Sequence, residues 1–334
     1  MTFRVFASTR YFDLETQDYL ESQGCEVVRS GLPDGEQDDM LALATLNDCL
    51  KNIDGWIVGS VPVTRSLLEA HPSIKVIARR GVGYNNVDIE SAKALGRVVT
   101  IAPGGNEPAV ADYALAMMLA VARRLGEGHD ALRAGKRQPL VGVELYKKTF
   151  GIIGFGRIGR MVAKRLSGFD TKILAYDPFP DIVSAESLGV KLTDLETLLY
   201  KSDFISLHLP LTQQTHHIID QNAFAKMKPS AIIINTARGG LIDEEALLLA
   251  LKNGCLGGAG LDVFEGEANH TCRSILEDLL SLQNVVASAH AAGSSKEGLQ
   301  RANRIAAESV LKVLRGEPLA KDYVVVDGRS ASDA

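Results

Sequence analysis

Short runs of β-branched and apolar residues alternate with segments of helical period along the whole chain, the signature of parallel strands joined by crossover helices. In the first hundred residues the strand-like runs fall at 4–7, 26–29, 55–59, 75–79 and 98–101. Helical stretches such as 38–50 and 86–95 separate them. A longer helix is predicted over 107–124, where Pro108 is tolerated in the first turn and Ala, Leu and Met fill the apolar face. Within it Met117 and Met118 read as core packing. A second series of strands follows at 151–154, 172–177, 204–208, 231–235, 258–262 and 285–288, and a last helix at 296–314. The pattern predicts an α/β protein with two parallel sheets, the first of about five strands and the second larger. Whether the last helix crosses back to the first sheet cannot be read from periodicity. The tail at 328–334 reads as frayed.

Composition narrows the picture without changing it. The chain has 334 residues, 46% hydrophobic and 23% charged, enough for two domains with separate cores. A net charge of -5 offers no surplus of cations for a phosphate backbone or an anionic bilayer, so neither nucleic acid nor membrane is an expected partner. No apolar run reaches the roughly 18 residues of a membrane span, and the first residues carry no recognisable secretory signal. Cys25, Cys49, Cys255 and Cys272 are scattered, without zinc-site spacing. A reduced, cytoplasmic protein without a metal is expected.

One motif carries chemistry by itself. Gly154, Gly156 and Gly159 form a G-x-G-x-x-G run directly after a buried strand and at the mouth of a helix. The first glycine suits the tight turn, the second lets the backbone approach a pyrophosphate, and the third lets helix and strand pack closely. Free N–H groups at the helix start, at Arg157 and Ile158, would face the phosphates. The next strand ends in Asp177, close to the roughly 20-residue interval expected of a ribose-binding acid. Its charge would repel a 2′-phosphate, and no Arg or Lys follows in Pro178-Phe179-Pro180 to reverse this. The expected cofactor is NAD.

In open parallel sheets ligands lie beyond the carboxyl ends of the strands. Arg238, Glu267 and His290 follow three successive strands of the second series there. A histidine titrates in the range needed to exchange a hydroxyl proton during hydride transfer. A carboxylate such as Glu267 would orient it, and Arg238 offers a two-pronged cation for a substrate carboxylate or carbonyl.

These motifs resemble the D-isomer-specific 2-hydroxyacid dehydrogenase family over essentially the whole chain. The matching stretches are Gly81-Val82-Gly83-Tyr84-Asn85-Asn86-Val87-Asp88, Ala102-Pro103-Gly104-Gly105-Asn106, His208-Leu209-Pro210-Leu211-Thr212, Asn235-Thr236-Ala237-Arg238-Gly239-Gly240 and Leu261-Asp262-Val263-Phe264. The resemblance implies that Arg238, Glu267 and His290 are the catalytic set. It implies that Val82 and Gly83 bind the substrate carboxylate through their backbone. It also implies a cofactor surface that includes Leu209, Thr236, Ala237, Arg238, Asp262, His290 and Gly293. The implied fold has a discontinuous, flavodoxin-like substrate domain (1–103 and 292–334) around a doubly wound, Rossmann-like NAD-binding domain (104–291). Closure of the two would exclude water from the hydride step. A homodimer built through the cofactor domains is implied as well.

The sequence departs from the family where proline usually precedes the catalytic histidine and often follows the glutamate. Ala289 and Ala268 stand there, so less rigid loops are expected. His270 and Cys272, in an atypical loop, read as surface residues. The leading reading is reversible hydride transfer between NADH and a small 2-keto acid of the glyoxylate or hydroxypyruvate type. A D-3-phosphoglycerate dehydrogenase is the alternative. It is weakened by Gly59-Ser60, where phosphate-binding members often carry an arginine, and by the lack of a following regulatory domain, although Arg79 and Arg80 lie close in sequence. An NAD-responsive, corepressor-like binding protein is the alternative of another class.

Overall fold

The computed structural model describes residues 2–9, 11–31, 41–265 and 273–329. The chain forms two compact units, one of residues up to Asn106 together with those from Ser294 onward, the other Glu107–Gly293.

In the first unit, β1 (Phe3–Ser8), β2 (Cys25–Arg29), β3 (Gly55–Val58), β4 (Val76–Arg79) and β5 (Val98–Thr100) lie in the parallel order β2-β1-β3-β4-β5. This is the flavodoxin-like winding, with the order reversing at β1. Alternate residues serve opposite faces. Phe6, Trp56, Ile77 and Val99 join Leu50 and Leu68 in one core. Val5, Ile57, Val76 and Val98 join Ala306 and Val310 in the other. The last helix, Lys296–Leu314, thus belongs to this unit. Its small buried residues let it lie almost on the sheet: a Cβ at Gly55 would come within 2.6 Å of Val310 Cγ1. A sixth strand, Val324–Asp327, pairs antiparallel with β5. The five-strand expectation falls short here, because pairing with β5 is a long-range choice that the brief Val324-Val325-Val326 run does not announce.

In the second unit, β6 (Thr149–Ile153), β7 (Lys172–Tyr176), β8 (Lys191–Leu192), β9 (Phe204–Leu207), β10 (Ile232–Asn235), β11 (Gly258–Leu261) and β12 (Val285–Ala287) form one parallel sheet. Its order is β8-β7-β6-β9-β10-β11-β12, a doubly wound Rossmann sheet whose order reverses between β6 and β9. Strands buried on both faces explain the continuous apolar runs of β9 and β10. The helix Glu107–Ala122 packs on this sheet, with Met117 and Met118 buried as expected. Gly258 and Gly260 permit that approach, since a Cβ there would meet Val121 at 2.6 Å and Met117 at 3.1 Å.

The expected strands are all present, with ends shifted by a residue or two. Helix ends differ more, for local reasons. The 107–124 helix stops at Ala122 because Arg124 is left-handed (φ 52°), and a further helix, Leu125–Arg133, starts there. The 86–95 stretch is helical only over Ile89–Ala94, because Asp88 caps it by accepting from Ser91 N. The 38–50 stretch is helical over Leu43–Cys49, and its first residues lie outside the described ones. Among the described residues no helix is long and apolar enough to cross a membrane.

Candidate active site

The glycine loop opens at the reversal point of the second sheet, and each glycine has its own steric requirement. Gly154 sits at φ 95°, and a Cβ on it would lie 2.6 Å from the His208 carbonyl carbon at the end of β9. At Gly159 a Cβ would lie 2.2 Å from the Gly154 carbonyl oxygen, where helix Arg157–Leu166 passes closest to the strand. Gly156 differs, for a Cβ there would meet nothing within 4 Å. Its openness is a feature of the surface, where a pyrophosphate would rest, and not of the protein's own packing. Gly156 and Arg157 are exposed, with Ile158 half-buried behind them.

Asp177, just past β7, accepts from Phe155 N through Oδ2 (2.7 Å) and from Phe179 N through Oδ1 (2.8 Å). The carboxylate is thereby fixed beside the glycine loop, with lone pairs left for further donors. The loop and its acid therefore fit an adenosine diphosphate moiety with free ribose hydroxyls.

Beyond β9, His208 shares a hydrogen bond with Ser206 Oγ through Nε2 (2.9 Å). Its Nδ1 is sealed from solvent without a partner, and burial pushes the imidazole down to about 3, so it is neutral at ordinary pH. Leu209 is buried next to it. Beyond β10, the buried Thr236 Oγ1 is likewise without a partner. Asn235 builds the turn that carries Arg238: its Oδ1 accepts from Ala237 N (3.0 Å) and its Nδ2 donates to Arg238 O (2.7 Å). Arg238 Nη1 donates to Ala237 O at 2.6 Å. Gly239 is required next, because a Cβ would sit 2.0 Å from the Phe264 carbonyl carbon.

Beyond β11, Asp262 is wholly buried and organises the turn that follows β12. Its Oδ1 accepts from Ser288 Oγ (2.6 Å) and Ala291 N (2.7 Å), its Oδ2 from Ala292 N (2.9 Å), and its carbonyl from His290 N (2.8 Å). His290 is exposed and left-handed, at φ 50°. The turn that lacks the family's proline is thus pinned on both sides of Ala289 by one buried carboxylate. Gly293, half-buried, ends this unit. Glu267, Ala268, His270 and Cys272 lie outside the described residues.

The second unit brings the glycine loop, Asp177, Leu209, Thr236 to Arg238, Asp262 and His290 to the carboxyl edge of one sheet. Val82 and Gly83 belong to the first unit, in the loop after β4. That loop is held by Arg79, whose Nε donates to Gly83 O (2.7 Å) and Nη1 to Val58 O (2.9 Å), and by Asn86, whose Nδ2 donates to Val61 O (2.7 Å). The sequence reading missed the structural parts played by Asn235, Ser288 and His208. Asn235 and His208 lie inside the family-like stretches of the sequence, but nothing local shows Ser288 meeting a residue 26 positions away.

A doubly wound sheet with this loop and this acid defines a dinucleotide-binding dehydrogenase-type domain. The family model for the D-isomer specific 2-hydroxyacid dehydrogenase NAD-binding domain matches residues 115–292. The chain belongs to that family, and its cofactor is NAD. It is 42% identical over 302 residues to a hydroxypyruvate reductase of Thermotoga maritima, covering 90% of this chain and 94% of that one. It is 44% identical over 309 residues to a D-3-phosphoglycerate dehydrogenase of Methanocaldococcus jannaschii, covering 91% of this chain but only 56% of the relative. The chain thus spans about half the length of that relative. A solved D-lactate dehydrogenase from Aquifex aeolicus, complexed with NAD and lactic acid, superposes with TM-score 0.79 at 29% identity, covering 97% of this chain and 99% of that one.

Proposed function

We propose that the protein is an NAD-dependent D-2-hydroxyacid dehydrogenase that reversibly reduces a small, unphosphorylated 2-keto acid of the glyoxylate or hydroxypyruvate type. The observation that carries this reading is the placement of Arg238 and His290 on two turns at the carboxyl edge of the cofactor-binding sheet, each turn held by a buried side chain. The Glu107–Gly293 unit is read as the cofactor domain and the other as the substrate domain.

NAD, when bound, supplies the nicotinamide that carries the hydride. In the reducing direction the imidazolium of His290 gives a proton to the carbonyl oxygen, and in the oxidising direction neutral imidazole takes it back. Glu267 is assigned the orientation of that ring and the support of its charged form. The guanidinium of Arg238 holds the substrate carboxylate or carbonyl, and the backbone of Val82 and Gly83 is assigned the carboxylate as well. Arg157 and Ile158 with the glycines receive the pyrophosphate, and Leu209, Thr236, Ala237, Asp262 and Gly293 complete the cofactor surface.

Two observations favour an unphosphorylated substrate over 3-phosphoglycerate. Gly59-Ser60 stands after β3 where an arginine would bind phosphate, and Arg79 is turned onto the carbonyls of Gly83 and Val58. A cytoplasmic homodimer is part of the proposal.

The test is NADH oxidation with glyoxylate, hydroxypyruvate, pyruvate and 3-phosphohydroxypyruvate under the same conditions. Turnover of glyoxylate or hydroxypyruvate with the highest kcat/KM supports the reading. A preference for 3-phosphohydroxypyruvate would replace it with the phosphoglycerate alternative. Tight NADH binding without turnover of any of them would replace it with a binding protein.

A further inference from the structure

We propose that His216, His217 and Glu265 form a binding site for one divalent transition-metal ion of the zinc class, separate from the proposed catalytic set. The three side chains meet from distant parts of the second unit: His217 Nε2 lies 2.9 Å from Glu265 Oε2, and His216 Nε2 lies 3.3 Å from Glu265 Oε1. One ligand atom from each lies within 4.8 Å of the others. A tetrahedral zinc with bonds of about 2.0–2.2 Å needs ligand atoms roughly 3.4 Å apart, so small side-chain rotations complete the set.

Neighbouring residues do not ordinarily aim their side chains at one point. Here the backbone is bent to make them do so. His217 is left-handed at φ 51°, a conformation that costs a β-carbon residue about 1–2 kcal/mol. The two imidazoles consequently stack, with centroids 3.9 Å apart and planes 27° apart. The bend is held by His217 N donating to Gly240 O (2.8 Å) and by Ile219 N donating to Leu241 O (3.1 Å). Glu265 is anchored separately, its N donating to Glu244 Oε1 (2.6 Å). The cluster therefore joins two independently fixed segments, the turn after β9 and the loop after β11.

Packing does not account for it. The His216 side chain is 50% exposed and those of His217 and Glu265 about a third, so the group faces solvent and an ion can reach it. Two imidazoles and one carboxylate suit zinc, nickel or copper and disfavour magnesium and calcium, which take all-oxygen sets. Water would fill the remaining position, as in open His₂Glu sites. On binding, the ring protons that now bridge to Glu265 would move to the Nδ1 atoms, and the metal would take their place at Nε2.

The experiment uses the full chain stripped with a chelator and titrated calorimetrically with Zn²⁺, then spectroscopically with Co²⁺. Expected is one Zn²⁺ per chain with micromolar affinity, weakened about tenfold or more in each of H216A, H217A and E265Q. The Co²⁺ complex should show tetrahedral d–d bands without thiolate charge transfer. His216 is exposed enough that H216A keeps the fold, which circular dichroism verifies. Absence of stoichiometric binding, binding unaffected by H216A and E265Q, or a thiolate band that puts the metal on cysteine would each overturn the proposal.

Discussion

The backbone N–H of His290 donates to the carbonyl of Asp262 at 2.8 Å, while the Asp262 carboxylate receives the N–H groups of Ala291 and Ala292 on the other side of the same turn. A wholly buried acid thus sets the direction of an exposed, left-handed histidine. Asp262→Asn turns one acceptor into a donor facing N–H or O–H groups. A loss of about 1–3 kcal/mol of stability is expected, with kcat down by more than about tenfold because His290 loses its fixed geometry. Urea unfolding and steady-state kinetics check this; wild-type kcat in D262N would remove Asp262 as the positioning group.

His290→Ala should abolish turnover and leave NADH affinity within about threefold of wild type, since the ring is exposed and supports no core. Fluorescence titration with NADH and the substrate panel together measure both. Undiminished turnover would take His290 out of the mechanism.

Two glycine substitutions should separate packing from binding. Gly159→Ala pushes a Cβ to 2.2 Å from the Gly154 oxygen, so a loss of about 1–3 kcal/mol or more and a lowered Tm are expected. Gly156→Ala, at an allowed φ of -77° and with nothing within 4 Å, should keep the Tm while NADH binds at least about tenfold more weakly. Equal Tm losses in the two variants would contradict the open-surface reading of Gly156.

Asp177→Ala removes the acceptor of Phe155 N and Phe179 N together with the charge that disfavours a 2′-phosphate. The ratio of kcat/KM for NADH over NADPH should fall by about tenfold or more, corresponding to roughly 1.4 kcal/mol. A wild-type preference for NADPH would refute the assignment.

His208 makes stability depend on pH. The folded state holds it neutral down to about 3, whereas the unfolded chain protonates near the ordinary value of 6.5. The unfolded state therefore binds more protons throughout that window, and stability falls as pH drops through it, by at most about 1.4 kcal/mol per unit. The capping aspartates Asp88, Asp181 and Asp194, held low by hydrogen bonds from Ser91, Ser184 and Thr197, contribute stability that is present at neutral pH and is lost only as pH falls below their ordinary value of 3.8. Urea unfolding at several pH values between 7 and 5 should show a shallower slope in His208→Asn, and equal slopes would assign the effect elsewhere.

The strands, the glycine loop and Asp177 were legible because each depends on neighbours in sequence: short β-branched and apolar runs, a turn that only glycine can make, an acid at a strand end. The return of the last helix was not, since the face of Ala306 and Val310 is meaningful only against Gly55 and β4, which lie far away in the chain. The same holds for the strand Val324–Asp327, whose partner is β5.

By itself the sequence determined the α/β class and the NAD fingerprint, because spacing along a strand–turn–helix unit fixes where those groups fall, and it named Arg238, Glu267 and His290 as the candidates for catalysis. Only the tertiary structure decided that Asp262 anchors the His290 turn and that His216 and His217 face Glu265. Those relationships are hydrogen bonds and approaches between residues up to 49 positions apart. Long-range pairing of this kind depends on the order of strands in the sheet, and no local pattern of polarity encodes it.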